Sequence, residues 1–303
     1  MIEVLQAGLC DLVMDLGRPG RAALGVPAGG AADRAALAAA NRLVGNDPSA
    51  AGLEIILSGP RLRFPSGGVV ALTGARFDAV RSSGVPVAWN ETLVLAAGEA
   101  LTVGRVGTGC RCWMALRGGL ASPLVMGSRS TFLPAGFGGH RGRPLQAGDR
   151  QRCGAPAAEV KLGRAMPPAS EAEEGLRVVA GPQIGQFDDR GLARFFGTDY
   201  RVQPASDRRG LRLAGARIGH RRVELPSQGV LPGAVQVPPD GQPIILGWDG
   251  PVTGGYPVIA GVIAADLPKL AQLKPGDAVR FVTVEIEMAR ALAAAPLEIR
   301  ELG

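Results

Sequence analysis

Apolar positions along this chain fall in short runs broken by Gly, Pro and Ser, the pattern of strands rather than of long helices. GLEIILSGPRLRF (52–64) and GVVALTGARFDAVRSSGVPVAW (68–89) are β-rich runs of this kind. Three segments repeat one local sequence, a small turn with a glycine and an acid that enters a strand: AAGEALTVG (96–104), LQAGDRQRC (145–153) and LKPGDAVRFV (273–282). Glycine accepts positive φ, so such turns deliver the chain into a strand at a fixed angle. Their spacing predicts at least two β-barrel or sandwich units rather than one solenoid. GAPAAEVKLGRAMPPASEAEEG (154–175) loses strand patterning and is rich in Ala, Pro and Glu, as a linker is. The expected organisation is an N-terminal β-barrel-like subdomain over 1–153, a linker over 154–175 and a C-terminal β-barrel subdomain over 176–303.

Helical periodicity appears in three places. Asp33 can cap ADRAALAAANRLVGN, and Gly45 stands where a left-handed residue ends a helix. On that helix Asp33, Leu37, Asn41 and Val44 share one stripe. A second helix, about 184–197, presents Phe187, Leu192, Phe195 and Phe196. The third is short, DLPKLAQL (266–273), with Pro268 in its first turn, where proline is tolerated. The fold class is therefore mainly β with a few helices.

Composition sharpens this. The 303 residues include 45 glycines and 24 prolines, about twice ordinary usage, which excludes a helical bundle or coiled coil. With 46% hydrophobic residues, disorder is excluded too. The net charge of +6 invites a nucleic-acid reading, but only Lys161, Lys269 and Lys274 are lysines, and the arginines are scattered apart from Arg208–Arg209 and Arg221–Arg222. Aromatics are 4%, too few for a base-stacking platform, so the charge reads as an Arg-biased surface and no nucleic-acid partner is expected. Cys10, Cys110, Cys112 and Cys153 make no disulfide framework at this length. Cys110 and Cys112 flank Arg111 in a predicted strand and point to one face. With His140 and His220 the only histidines, they read as buried thiols, and no metal site is expected. The opening MIEVLQAGLCDLVMD has acids and no basic region, unlike a signal peptide. The longest apolar run, Val258 to Ala265, is far short of the roughly 20 residues a bilayer span needs. A cytoplasmic protein without membrane partners is expected.

The chemistry is first limited by what the chain lacks. It has no Gly-Lys dipeptide, hence no phosphate-binding Walker loop, and no G-x-S-x-G or H-E-x-x-H motif. A His-based triad could draw only on His140 or His220. The chain does not read as a self-sufficient hydrolase or ATPase. Its polar residues gather in three turn-rich segments. In 15–46, Arg18 and Arg21 lie near the start of the first helix, where Asp33 and Asn41 share a face. A carboxylate and an amide two turns apart can hold an amide or lactam by donor–acceptor pairing. A helix cap and a satisfied buried amide fit the same spacing, which leaves both readings open. In SDRRGLRL (206–213), Ser206-Asp207 begins a turn and Arg208 follows. In 228–257, Gln236 lies in a strand-like run, and Asp249, Thr253 and Tyr256 surround Gly254-Gly255. Paired glycines serve close approach to a ligand or an ordinary hairpin turn.

GRPG, LGVP, GGAAD and LVGN of the first segment are followed by MGSRST (126–131), GPQ (181–183), SDRRGLRL, GVLPGAVQVPPDGQPIIL, TGGYP and ADLPKLAQLKPGD. In this order they resemble the KipA family, the C subunits of 5-oxoprolinase, formerly called allophanate hydrolase subunit 2. The same domain is similar to subdomains A and B of the carboxyltransferase region of biotin-dependent urea carboxylase, a relative of urea amidolyase. The resemblance implies two cyclophilin-like β-barrel units. It implies as partners a KipI-like protein (the B subunit of 5-oxoprolinase) and a third subunit. Their assembly uses ATP to open 5-oxo-L-proline to L-glutamate, by phosphorylation of the lactam oxygen and attack of water; no cofactor is implied for this chain alone. Carried onto these positions, Arg208 holds a substrate carboxylate in a bidentate fork, and Asp33 or Asp207 is the catalytic group that positions or activates water. Asn41, Gln236, Asp249, Thr253 and Tyr256 complete a polar cleft for a small lactam or amide. The chain departs from the pattern at Arg209 for Met, Leu211 for an aromatic, Gln228 for Glu, and Gly250-Pro251 for Arg-Gln, which leaves the substrate open. Two other roles stay open: a carboxyltransferase component that works with carboxybiotin on urea or an amide, and a non-catalytic binder of a KipI-like regulator. None of the three lysines sits in the Met-Lys setting of a biotin carrier.

Overall fold

Three turns with the same hydrogen bonds launch strands in different parts of the chain. In the computed structural model, which describes residues 1–156, 163, 165–166, 175–221, 225–294 and 300–301, Gly98, Gly148 and Gly276 take positive φ of 79°, 88° and 93°. The acid after each glycine accepts from the backbone N–H three residues upstream: Glu99 from Ala96 (2.9 Å), Asp149 from Gln146 (2.7 Å), Asp277 from Lys274 (3.0 Å). Each turn is also clasped by a reciprocal backbone pair to one residue elsewhere, Phe64, Val4 and Val202 respectively. The side chain thus replaces a strand partner for the turn's own N–H, and the chain leaves in a defined direction.

The described residues divide into two units. The first takes those within Met1–Arg18, Gly29–Ala169 and Leu297–Gly303, the second those within Pro19–Ala28 and Ser170–Pro296. The expected linker, 154–175, lies mostly outside the described residues. Strands of the first unit are β1 (Ile2–Gln6), β2 (Asp11–Met14), β3 (Gly52–Ile56), β4 (Arg61–Arg63), β5 (Gly68–Gly74), β6 (Phe77–Arg81), β7 (Thr92–Leu95), β8 (Ala100–Val106), β9 (Arg111–Leu116), β10 (Arg150–Gln151) and β11 (Ala165–Met166). Ten of them form two sheets, in the orders β10-β1-β4-β8-β6 and β2-β3-β9-β5-β7. Ile2, Val4, Leu62 and Leu101 of one sheet and Val13, Leu53, Leu72 and Met114 of the other share a single core. Register puts Asp11, Ile55 and Cys112 on that inner side and Leu12, Glu54 and Trp113 on the outer side. Helix α1 (Arg34–Leu43) covers the outer side: Ala40, Leu43 and Val44 meet Ala71 and Ala115, and Thr73 donates to the Ala36 carbonyl at 2.7 Å. Gly45 ends the segment with φ of 71°.

The second unit contains β12 (Leu176–Ala180), β13 (Tyr200–Val202), β14 (Gly210–Ala214), β15 (Gln228–Gly229), β16 (Ala234–Gln236), β17 (Ile244–Leu246), β18 (Thr253–Gly254), β19 (Val258–Val262), β20 (Ala278–Val279) and β21 (Phe281–Thr283). Eight form one sheet, ordered β20-β13-β14-β17-β16-β19-β12-β21, while β15 and β18 make a separate ribbon. The two edge strands, β20 and β21, are separated only by Arg280, so one stretch of chain holds both ends of the sheet and nearly closes it into a barrel. Inside lie Val178, Tyr200, Leu213, Val235, Ile259 and Phe281, with the Phe195 ring stacked on Phe281 at 4.3 Å. Strand β22 (Arg300–Glu301) belongs to the first unit, where it pairs with β11.

Helix α2 (Asp189–Gly197) is capped by Asp188, which accepts from Gly191 at 2.7 Å. The helix expected over 184–197 is therefore two elements: a short 3-10 turn (Ile184–Gln186), then extended, buried Phe187, then α2. Burying the Phe187 ring overrides local periodicity. Helix α3 (Leu267–Gln272) has Pro268 in its first turn, as its sequence predicts, and α4 (Ile286–Ala294) is an addition to the predicted set. Among the described residues no helix is long and apolar enough to cross a membrane. None of the four cysteines is in a disulfide.

Candidate functional site

Asp33 and Asn41 belong to the first unit and the other six candidates to the second, and each group is built differently. Asp33 is the N-cap of α1, extended in backbone, with Oδ1 accepting from the Ala36 N–H at 2.9 Å. Burial raises the pKa of its carboxyl, and the nearby Glu54 carboxyl adds to the rise. Glu54 is fully buried on the outer side of β3; Oε2 accepts from the Ala32 N–H at 3.0 Å and Oε1 stands 3.5 Å from Arg111 Nε. Asn41, fully buried, uses its whole amide on the chain itself. Nδ2 donates to the carbonyls of Ala50 (2.7 Å) and Pro48 (3.3 Å), and Oδ1 accepts from Asn46 (3.0 Å). The spacing that allowed a ligand-binding pair thus yields a helix cap and a loop anchor, eight residues apart on one stripe.

The MGSRST segment is organised by a residue the sequence did not single out. Asp15 Oδ1 accepts from both Ser128 and Ser130 hydroxyls at 2.6 Å and from the Gly17 N–H at 2.8 Å, while Oδ2 accepts from the Arg129 N–H at 2.6 Å. Arg18, 1% exposed, donates to the Ser130 carbonyl, and its guanidinium lies 5.0 Å from the Phe137 ring centre. A Cβ on Gly138 would sit 2.1 Å from the Ser130 oxygen, so only glycine fits there. Two serines at i and i+2 are the sequence trace of this arrangement; their partner lies more than a hundred residues upstream.

In the second unit Arg208 and Asp249 form a buried bidentate pair, Nε to Oδ2 at 2.8 Å and Nη2 to Oδ1 at 3.2 Å. The two backbones touch as well: Asp249 N–H donates to the Arg208 carbonyl at 3.0 Å, and a Cβ on Gly247 would lie 2.3 Å from that same oxygen. Exposed Asp207 closes the turn before β14, its Oδ1 accepting from the N–H groups of Arg209 (2.7 Å) and Gly210 (3.3 Å). Gln236 is buried beneath the 253–257 strap, its Nε2 3.5 Å from the Tyr256 carbonyl, whereas Thr253 and the Tyr256 ring are exposed. Gln183 was not among the candidates, yet it ties this region together: Oε1 accepts from the Val258 N–H and Nε2 donates to Gln228 Oε1, both at 3.0 Å. Gln228 in turn stands opposite Gly254 in the ribbon. Of the other departures, Arg209 is exposed, Leu211 packs in the barrel core, and a Cβ on Gly250 would lie 2.8 Å from the Arg209 carbonyl. Among the described residues no cluster of three or more His, Cys, Asp or Glu side chains is arranged for a metal ion.

The sequence profile of the carboxyltransferase domain, subdomain A and B, matches residues 24–283. The chain is 38% identical to the C subunit of 5-oxoprolinase from Escherichia coli (strain K12), over 95% of its own length and 93% of that protein. It is 32% identical to the urea amidolyase of Lachancea kluyveri over 96% of its length, but spans only 17% of that protein. The crystal structure of the K. lactis urea amidolyase superposes with a TM-score of 0.87 at 32% identity, over 95% of this chain and 19% of that one.

Proposed function

Because the chain belongs to the family of carboxyltransferase subdomains A and B, we propose that it serves as the C component of a 5-oxoprolinase, a hetero-complex that opens 5-oxo-L-proline to L-glutamate with ATP. The observation that carries this reading is the extent of the correspondence with the C subunit of 5-oxoprolinase, 38% identity over 93% of that protein, against 17% of a urea amidolyase. The partners are a KipI-like protein and a third component that handles ATP, for which this chain has no phosphate loop.

Arg208 is the carboxylate-binding group of the second unit, with Asp249 fixing the plane of its guanidinium. Asp33 and Asp207 are the groups for positioning water. Asp33 is the preferred one, because burial raises its pKa and makes its carboxylate a better proton acceptor than an ordinary aspartate. Gln236, Thr253 and Tyr256 supply polar contacts from the strap, and Asn41 supports α1 beneath Asp33. The test is reconstitution with the products of neighbouring genes and an assay of glutamate release from 5-oxoproline. ATP-dependent release that requires all components is expected. A well-folded complex that releases none, with or without ATP, rejects the reading; carboxylation of urea by the chain with a biotin carboxylase would replace it.

A further inference from the structure

Between Ala121 and Gly136, in the first unit, the usual distribution of side chains is turned inside out. Every exposed residue of this stretch is Ala, Pro, Leu, Met or Gly, with Leu124 61%, Met126 42% and Leu133 36% exposed. The hydroxyls point inward instead: Ser122, Ser128, Ser130 and Thr131 are each at most 2% exposed. Ser128 and Ser130 donate to Asp15, Thr131 donates to the Val13 carbonyl at 3.1 Å, and Arg129 donates to the Ser122 carbonyl. A loop shaped by water alone would expose its serines and bury its leucines.

The backbone holds this apolar surface in place. Met126 and Gly127 have φ of 53° and 86°, and Val125 and Ser128 exchange backbone hydrogen bonds of 2.8 and 3.2 Å across them. Such a two-residue turn normally takes Asn, Asp or Gly at its first position. A methionine there is strained, and strained residues persist where their surroundings fix them, most often at functional sites. Exposed Arg141, with φ of 56°, repeats the arrangement with Gly142 in the turn 140–143. Buried Arg18 ties the turns to one base: Nε donates to the Val125 carbonyl at 3.4 Å, Nη2 donates to the Ser130 carbonyl, and the guanidinium covers the Phe137 ring. Gly142 lies so close to the Gly136 carbonyl that a Cβ has no room, which sets Arg141 beside the apolar stretch.

We propose that the 121–136 surface, with Arg141 at its rim, docks a second protein of different sequence, whose contact face is apolar at its centre and acidic at its edge. Exposed apolar patches mark interaction sites, and the centres of protein interfaces are depleted of charge. The charge beside this patch has one sign. Residues 100–148 contain six arginines and no Asp or Glu, and the first acid beyond them, Asp149, is already held by Arg143 at 2.7 and 2.9 Å. Two copies of this chain meeting symmetrically through the same face would set like charges together, which disfavours a dimer. A bilayer draws aromatic rings to the surface, whereas Phe132 and Phe137 are turned onto each other, with ring centres 5.2 Å apart. The identity of the docked protein as a subunit of 5-oxoprolinase rests on the function proposed above.

The test mixes the full chain with the products of neighbouring genes and measures Kd by calorimetry and association rates by interferometry at low and high salt. Variants are checked for fold by circular dichroism and thermal melting. Met126→Gly removes the apolar side chain and suits the positive φ, so its Tm should not fall while Kd rises by at least about 10-fold. Leu133→Asp should weaken binding by a similar factor. Arg141→Glu should slow association and abolish its salt dependence. Wild-type affinity in folded Met126→Gly and Leu133→Asp overturns the assignment and leaves the complex standing. Self-association of the chain, or pelleting with anionic vesicles, that is lost in these variants while partner binding is kept also overturns it, because another occupant then takes the face. A wild-type chain that binds none of the neighbouring gene products rejects the complex proposed above together with this occupant. Binding that depends on Met126 and Leu133 without glutamate release supports the docking face and rejects the 5-oxoprolinase reading.

Discussion

Asp11 places a carboxyl on the core side of β2, fully buried, where Oδ2 accepts from the Gly8 N–H at 2.6 Å and Oδ1 has no partner among the described residues. Burial pushes its pKa up to about 7, and burial likewise drives the Cys112 thiol well above its usual value, with the Asp11 charge adding to the effect. In the unfolded chain an aspartate titrates near pH 4. Between about pH 4 and 7 the unfolded chain has released a proton that the folded chain still holds, so stability falls as pH rises through that window and levels off above it. Asp11→Asn keeps an acceptor for Gly8 and cannot ionise. It should flatten the slope and stabilise the protein at pH 8 by on the order of 1–4 kcal/mol. Urea denaturation at pH 5 and pH 8 measures both, and a variant that keeps the parental slope would assign the pH dependence to another group.

Elements whose determinants are local could be read directly. The Asp33 cap and the left-handed Gly45 bound α1 as predicted, and the three Gly-acid turns carry one hydrogen-bond set because every group they need lies within four residues or is backbone. Gly276 and Gly148 have open space where a Cβ would go, so Ala there pays only for positive φ, about 1–2 kcal/mol. Gly138→Ala adds a Cβ contact of 2.1 Å to the Ser130 oxygen and should be far more damaging. Thermal unfolding of the three variants checks this ranking; equal losses would mean that the 138–139 segment yields freely. What stayed illegible depends on distance along the chain. Asp15 meets Ser130 across 115 positions and Arg208 meets Asp249 across 41, and neither pairing leaves a periodic trace. Glu54 sits in an apolar run, GLEII, and only the register of β3 reveals that it faces α1 rather than the core. The register of Gln236 opposite Val258 follows from a bulge, a property of two strands together.

For the chain as a whole, mainly β architecture and barrel-like units followed from turn density, strand patterning and the family resemblance, but the device that nearly closes the second barrel did not, since one segment serves both ends of a sheet. A chain ended after Asp277 would lack β20 and β21 and leave β12 and β13 unpaired along one side each. Exposed strand edges template association, so that chain should aggregate and be cut by protease within 176–262, where the full chain resists. Limited proteolysis read by mass spectrometry decides it, and a resistant truncated chain would mean that six strands suffice. The same closure imposes an order on synthesis. Leu176 waits for Phe281, its parallel partner, which leaves the ribosome about a hundred residues later, and such non-local pairing is slow to form. Throughout that interval the nascent chain carries an open edge that chaperones can occupy and that a neighbouring nascent chain can invade. Slowing translation between residues 176 and 281 would lengthen the exposure, so codon choice in this stretch should influence the yield of folded protein although it changes no amino acid.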